Sequence, residues 1–209
     1  IIGDAIRQLL ELHAQLARTA PPPDRKLVDW MMRFQVDNEC DFFEIDPVAY
    51  APALGERGMA SYRKRLDEIA ATLSPKLSDE HRHDLWSTDR DAWHQVLEQD
   101  HIRFVLEWNA RRLAVWDRDV DAIIATHSRD RKVAAWLQDT AKALAEIGEF
   151  DLAIDWARQA TYFDLGHQAA KASEYWCALL AEHSPDEELP ARLEVFRRWP
   201  TSSNASALH

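Results

Sequence analysis

The sequence predicts an all-α protein, with antiparallel helix pairs stacked as a short right-handed α-solenoid. Three observations carry this. Apolar residues recur every three or four positions along most of the chain, and no stretch alternates with the period of two that a half-buried strand needs. Composition agrees: 209 residues contain only 5 glycines, and Ala, Leu, Glu and Arg are abundant. Third, WLQDTAKALAEIGEFDLAIDWARQATYF, Trp136 to Phe163, reads as an amphipathic helix, a tight turn at Gly148 and a second helix running back. Short helices in such succession give a bundle or a solenoid.

Ile2, Ile6, Leu9, His13 and Leu16 place the stripe of a first helix over residues 2–18. Pro21, Pro22 and Pro23 stop it, because proline removes a backbone donor and clashes with the preceding turn. Lys26 to Val36 follows, with Leu27, Trp30, Met31 and Phe34 on one face. The acidic run DNECDFFEID, residues 37–46, leads to Asp46-Pro47, a helix start with Asp as N-cap and Pro at the first helical position. That helix is expected to end at Gly55, and the next carries Met59, Tyr62, Leu66, Ile69 and Leu73.

Residues 74–90 are the least periodic and read as a connector with one helical turn near 79–86. The expected organisation is an N-terminal helical section over 1–73, a connector over 74–90, and helical repeats over 91–209. A long helix from about 90 to 116 has two apolar stripes: Trp93, Leu97, Phe104 and Trp108, then Ile102, Val105, Leu106, Leu113 and Trp116. Such a helix is expected to be covered on two sides, in the middle of a stack. A short partner over Val120–Thr126, the 131–147 and 150–163 pair, and helices near 166–183 and 186–199 complete the set. The tail after Pro200 is expected to fray.

Composition narrows the function classes. The net charge is −11 with 46% apolar residues. Phosphate-backbone or anionic-membrane binding needs clustered Lys and Arg, so the acidic balance argues against nucleic acid for this domain alone and against a membrane surface. Cys40 and Cys177 lie far apart and fit no metal or redox spacing. A reducing, cytoplasmic compartment is the expectation, with no bilayer-spanning run or signal pattern. The chain opens Ile1-Ile2 rather than with Met, which reads as a fragment of a larger protein.

Gly148, Phe150, Ala141, Ala153 and Ala160 occupy the turn, aromatic and small-residue positions of a tetratricopeptide repeat, a helix–turn–helix unit of 34 residues. Alanine at these crossings lets two backbones approach where leucine would hold them apart. The stretch 132–165 thus resembles a degenerate tetratricopeptide repeat, with Leu165 in place of the late proline and Trp136 shifted by one. A weaker echo aligns Ala122 with Ala153 at an offset of 31. Trp30, the acidic run, Tyr50 to Gly58 and Tyr62-Arg63 resemble a bacterial helical domain family of unknown function, similar to the C-terminal regions of SWIM-type zinc-finger proteins. That resemblance covers roughly 5–199 and implies a helical fold. It brings no catalytic residues, and the SWIM cysteine–histidine motif is absent, so it implies no zinc.

Several residues are candidate sites. The acidic run could hold a divalent cation but lacks EF-hand spacing and its central glycine. Two histidines, His81 and His83, flank Arg82 and would point the same way in an extended segment, so both could ligate one metal. Together these define an alternative function, a metal-dependent hydrolase. His13 and His101 read as half-buried packing residues. The tryptophans fit core packing between layers better than a stacking platform, with Trp86 and Trp199 the more exposed. No nucleophile–base pair or Gly-rich phosphate loop is present, and Ser61, Ser173 and Cys177 have no base nearby in sequence. No cofactor is expected.

The sharpest expectation is a peptide-binding groove. In tetratricopeptide-like stacks the first helix of each pair lines the concave face, which places Arg111, Gln138, Lys142 and Lys171 there, with Arg103 and Tyr175 nearby. A basic stripe in an acidic protein would attract an acidic peptide or a C-terminal carboxylate. The expected function is a non-catalytic interaction or scaffold domain, binding a partner peptide or a second copy of itself. A nucleic-acid-associated accessory domain is a further alternative, suggested by the SWIM resemblance alone.

Overall fold

A computed structural model describes residues 2–37 and 44–208. Within them the chain is all-helical, without strands. The helices are α1 (Ile2–Thr19), α2 (Asp24–Val36), α3 (Pro47–Ala70), α4 (Asp79–Thr88), α5 (Arg90–Asp117), α6 (Val120–Ser128), α7 (Ala134–Glu146), α8 (Phe150–Tyr162), α9 (His167–His183), α10 (Pro185–Arg198) and α11 (Ser202–Ser206). Two compact units divide the chain, Ile1–Leu113 and Ala114–His209. Their junction falls inside α5. The 74–90 segment lies within the first unit, and the expected helical turn there is a ten-residue helix, α4, N-capped by the Ser78 side chain.

In the first unit, α1 and α2 both pack against α3. The core gathers Val28, Met31, Ile45, Tyr50 and Tyr62, all nearly inaccessible. Asp46 caps α3, its carboxylate accepting from the Val48 amide at 3.0 Å, and Pro47 takes the first turn, where no donor is missed. Gly55 breaks α3 where the sequence places a helix end: its φ of 61° is a left-handed conformation that glycine adopts at little cost.

Two expectations about buried faces are corrected. On α1 the buried residues are Ala14 and Ala17, whereas Leu9, Leu12 and Leu16 are exposed. Small side chains let α1 settle close on α3, which turns the leucine ridge outward. On α5, Leu97, Phe104 and Trp116 are likewise exposed. The most buried side chains of the α5 part in this unit are Val105 and Asn109.

Asn109 closes a ring of buried polar groups. The Tyr62 hydroxyl donates to Asn109 Oδ1 at 2.7 Å and accepts from Gln35 Nε2 at 2.7 Å. Asn109 Nδ2 donates to Gln35 Oε1 at 2.9 Å and to the Val105 carbonyl at 2.9 Å. Gln35 Nε2 also reaches the Met31 carbonyl at 3.1 Å. The ring ties α2, α3 and α5 together at one point. Apolar packing tolerates sliding; a closed ring of hydrogen bonds admits one register.

The second unit is a succession of hairpins: α6 packs on α7, α7 on α8, α8 on α9 and α9 on α10, and α7 also touches α9. The alanines predicted to set the α7–α8 crossing, Ala141, Ala153, Ala157 and Ala160, are fully buried. Gly148, at φ 83°, makes the turn, and the Glu149 amide reaches back to the Leu144 carbonyl at 3.0 Å. The α5–α6 turn repeats this pattern with Arg118 at φ 56° and the Asp119 amide on the Ala114 carbonyl at 3.1 Å. Both are left-handed helix ends with a six-to-one hydrogen bond, one using glycine and one bearing the strain of a side chain.

Several contacts in this unit join residues 33 or 34 positions apart. The Ala135 amide meets Gln168 Oε1, 33 residues on, while Arg198 and Trp199 donate to the carbonyls of Asp164 and Leu165, 34 residues back. The tail does not fray after Pro200. Thr201 caps α11 through the Asn204 amide at 3.1 Å, and Asn204 Nδ2 holds the Trp199 carbonyl at 2.8 Å. Among the described residues no helix is long and apolar enough to cross a membrane.

Candidate functional site

The expected groove residues fall in both units. In the first, Arg103 is held locally: it bonds Asp100 at 3.2 Å and also donates to Gln99 and the Ser74 carbonyl. Arg111 lies half-buried with its guanidinium 5.7 Å from the centre of the Trp108 ring. Both arginines act within their own unit, bracing the segment after α3 and covering an indole.

The remaining four residues belong to α7 and α9. Residues 135 and 168 meet at the starts of these helices, and residues 142 and 175 meet further along, so the two helices run in the same direction side by side. Lys142 Nζ sits 5.9 Å from the centre of the Tyr175 ring. Lys142 also lies 3.8 Å from Asp139, one turn earlier on an exposed face, a pair of little energetic weight. Tyr175 is half-buried; burial pushes its hydroxyl pKa up, and the charge of Glu182 adds to this. Lys171 is exposed one turn before Tyr175 on α9. Gln138 is buried and therefore packs between helices instead of lining an open face. The structure thus brings Lys142 and Tyr175 together, with Lys171 one turn from Tyr175 along α9.

The metal expectation is corrected in its geometry. His81 and His83 sit on α4, not on an extended segment. Two positions along a helix separate side chains by about 200°, so the pair faces opposite ways. His81 is engaged at the helix start, where its Nδ1 lies 2.6 Å from Ser78 Oγ. Of the acidic run, residues 38–43 lie outside the described residues. Asp46, at its end, is a structural anchor: Arg112 grips its two carboxylate oxygens at 2.8 and 2.9 Å while it caps α3. Among the described residues no group of three or more His, Cys, Asp or Glu side chains is placed to hold a metal ion.

The other singled-out residues have structural partners. His13 Nδ1 meets the Tyr50 hydroxyl at 2.9 Å and its ring lies tilted against Trp30, 4.4 Å between centres, although it is more exposed than half-buried. His101 Nε2 contacts the Gln35 carbonyl at 2.8 Å. Trp108 donates to the Ile45 carbonyl at 2.8 Å. Arginines cover several other tryptophans: Arg82 on Trp93, Arg129 on Trp136, Arg131 on Trp156 and Arg198 on Trp199. These cation–π covers explain how an acidic domain carries so many half-buried indoles. Trp86 stays exposed, as expected, and Trp199 is half-buried. Burial raises the pKa of the Cys177 thiol, which disfavours a nucleophilic thiolate.

Sequence reasoning missed a polar cleft in the second unit beside Trp176 and Arg158. Its residues come from three helices with no shared spacing, so no motif could mark it. No curated protein and no solved structure matches the chain. A family model does, over residues 1–204: the chain belongs to the family described as "Family of unknown function (DUF6880)".

Proposed function

We propose that this chain is a non-catalytic protein-interaction domain whose second unit is a short tetratricopeptide-like stack, with the α7–α9 face taking an acidic peptide or a C-terminal carboxylate. The observation that carries the reading is the Lys142–Tyr175 contact between two helices running in the same direction. It puts an ammonium and an aromatic ring from successive hairpins on one face, with the Lys171 ammonium one turn away. Supporting the solenoid reading are the separations of 33 and 34 residues between contacting positions, the period of a tetratricopeptide unit. The sequence resemblance to the helical C-terminal regions of SWIM-type proteins would suit an accessory or scaffold role in the bacterial cytoplasm.

The test is fluorescence anisotropy with a labelled peptide ending in three acidic residues and a free carboxylate. Saturable binding is expected, with about a tenfold loss in Lys142→Glu/Lys171→Glu, since reversing two exposed charges removes attraction and adds repulsion of a few tenths to one kcal/mol each. Binding unchanged in that variant would sink the assignment of this face.

A further inference from the structure

The geometry points to a second binding site of opposite sign in the same unit: a cleft between α8 and α10 that takes a lysine or arginine residue of a partner peptide. Among the described residues the backbones of α8 and α10 make no contact, although each packs on α9. The space between them is about 270 Å³ and is floored by Trp176 and Leu180 of α9. A second opening of about 460 Å³ shares Asp155, Arg158 and Glu194 with it and extends to Tyr162.

Two independent features define what fits. The first is an unpartnered donor. Trp176 is only 6% exposed, and its indole Nε1 has no hydrogen-bond partner in the structure. Buried N–H groups are nearly always satisfied, so this indole calls for an acceptor. The second is charge. Asp155 stands on α8, Glu194 faces it from α10, and Asp186 and Glu187 begin α10 at the same cleft. Arg158 is the one basic residue lining it. Alone, the first-turn acids of α10 would be ordinary helix-dipole partners. With Asp155, Glu194 and an orphaned donor on the floor they make a site for a cation that also carries an acceptor.

A basic residue within a peptide offers both groups: a backbone carbonyl for the indole N–H and an ammonium or guanidinium for the carboxylates. A free polyamine offers only the cation. The lining already holds a guanidinium near an aromatic ring, since Arg158 lies 5.9 Å from the centre of the Tyr162 ring. Trp176 Nε1 is shielded from solvent, so an acceptor reaches it only as the α9–α10 packing and the Arg198–Tyr162 contact give way.

The test follows the indole N–H resonance of Trp176, sequentially assigned, in the ¹⁵N-labelled chain. The probes are blocked Gly-Arg-Gly and Gly-Lys-Gly peptides, with blocked Gly-Glu-Gly and spermidine as comparisons. A saturable shift with both basic peptides is expected, with about fivefold weaker affinity in Asp155→Asn/Glu194→Gln, the loss of two exposed ion pairs. The Lys142→Glu/Lys171→Glu variant is expected to keep this shift, which separates the site from the α7–α9 face. The proposal is overturned by no saturable shift, by an equal response to the acidic peptide, by an unchanged affinity in the double variant, or by spermidine moving the resonance as the peptides do.

Discussion

Tyr62→Phe isolates the polar ring that registers the first unit. The substitution keeps the aromatic ring and removes one oxygen from a fully buried position. Asn109 Oδ1 then loses its hydroxyl donor, and one Gln35 Nε2 hydrogen loses its acceptor, the other staying on the Met31 carbonyl. Each buried polar group left unmatched costs about 1–3 kcal/mol, and partial relaxation brings the pair to about 2–4 kcal/mol. Apolar burial is unchanged, so the loss is polar in origin. Urea unfolding followed by circular dichroism measures it as a lower midpoint with an unchanged slope. Adding Gln35→Leu and Asn109→Leu to Tyr62→Phe removes the orphaned partners and is expected to recover part of the loss. A loss below about 0.5 kcal/mol for Tyr62→Phe, the range of surface substitutions, would refute the claim that the ring fixes the packing.

Ala153→Leu adds bulk at the fully buried α7–α8 crossing and is expected to cost about 1–3 kcal/mol in thermal or urea unfolding; wild-type stability would mean the crossing lies elsewhere. Alkaline pH is expected to weaken the first unit through Tyr50, whose hydroxyl burial pushes its pKa up to about 12. Between the unfolded value of about 10 and that folded value the unfolded chain releases a proton that the folded chain keeps, so stability falls as pH rises through this window. Melting temperatures at pH 9 and 11.5 check this, and Tyr50→Phe is expected to flatten the decline; an identical decline in that variant would exclude Tyr50 as its source.

The helices were legible because helix formation leaves a local trace. Apolar periodicity gave nearly every element, Asp46-Pro47 gave the start of α3, and Gly55 and Gly148 gave the breaks, since a left-handed conformation favours glycine wherever it occurs. Segment 74–90 was underestimated because α4 is amphiphilic only weakly and is held by its cap and by the Arg82–Asp100 ion pair at 2.6 Å, a partner on another helix. The buried faces were less legible. A stripe of leucines on α1 is stronger in hydrophobicity than Ala14 and Ala17, yet close helix approach selects the small residues.

The candidate sites divide the same way. Lys142, Lys171 and Tyr175 were expected on one face through the tetratricopeptide resemblance, since helical spacing alone relates only Lys171 to Tyr175, one turn apart on α9. Gln138 could not be told from an exposed neighbour, because a shift of a few tens of degrees about a helix axis decides burial. The sequence by itself determined an all-helical chain, its breaks and its acidic balance, each a property of residues near one another. Only the tertiary structure decided which faces are covered, that Gln35, Tyr62 and Asn109 close a ring, and that Trp176 lies unsatisfied beneath carboxylates of two helices. Those facts join residues far apart in the chain, and such distances are set by packing, which has no local code.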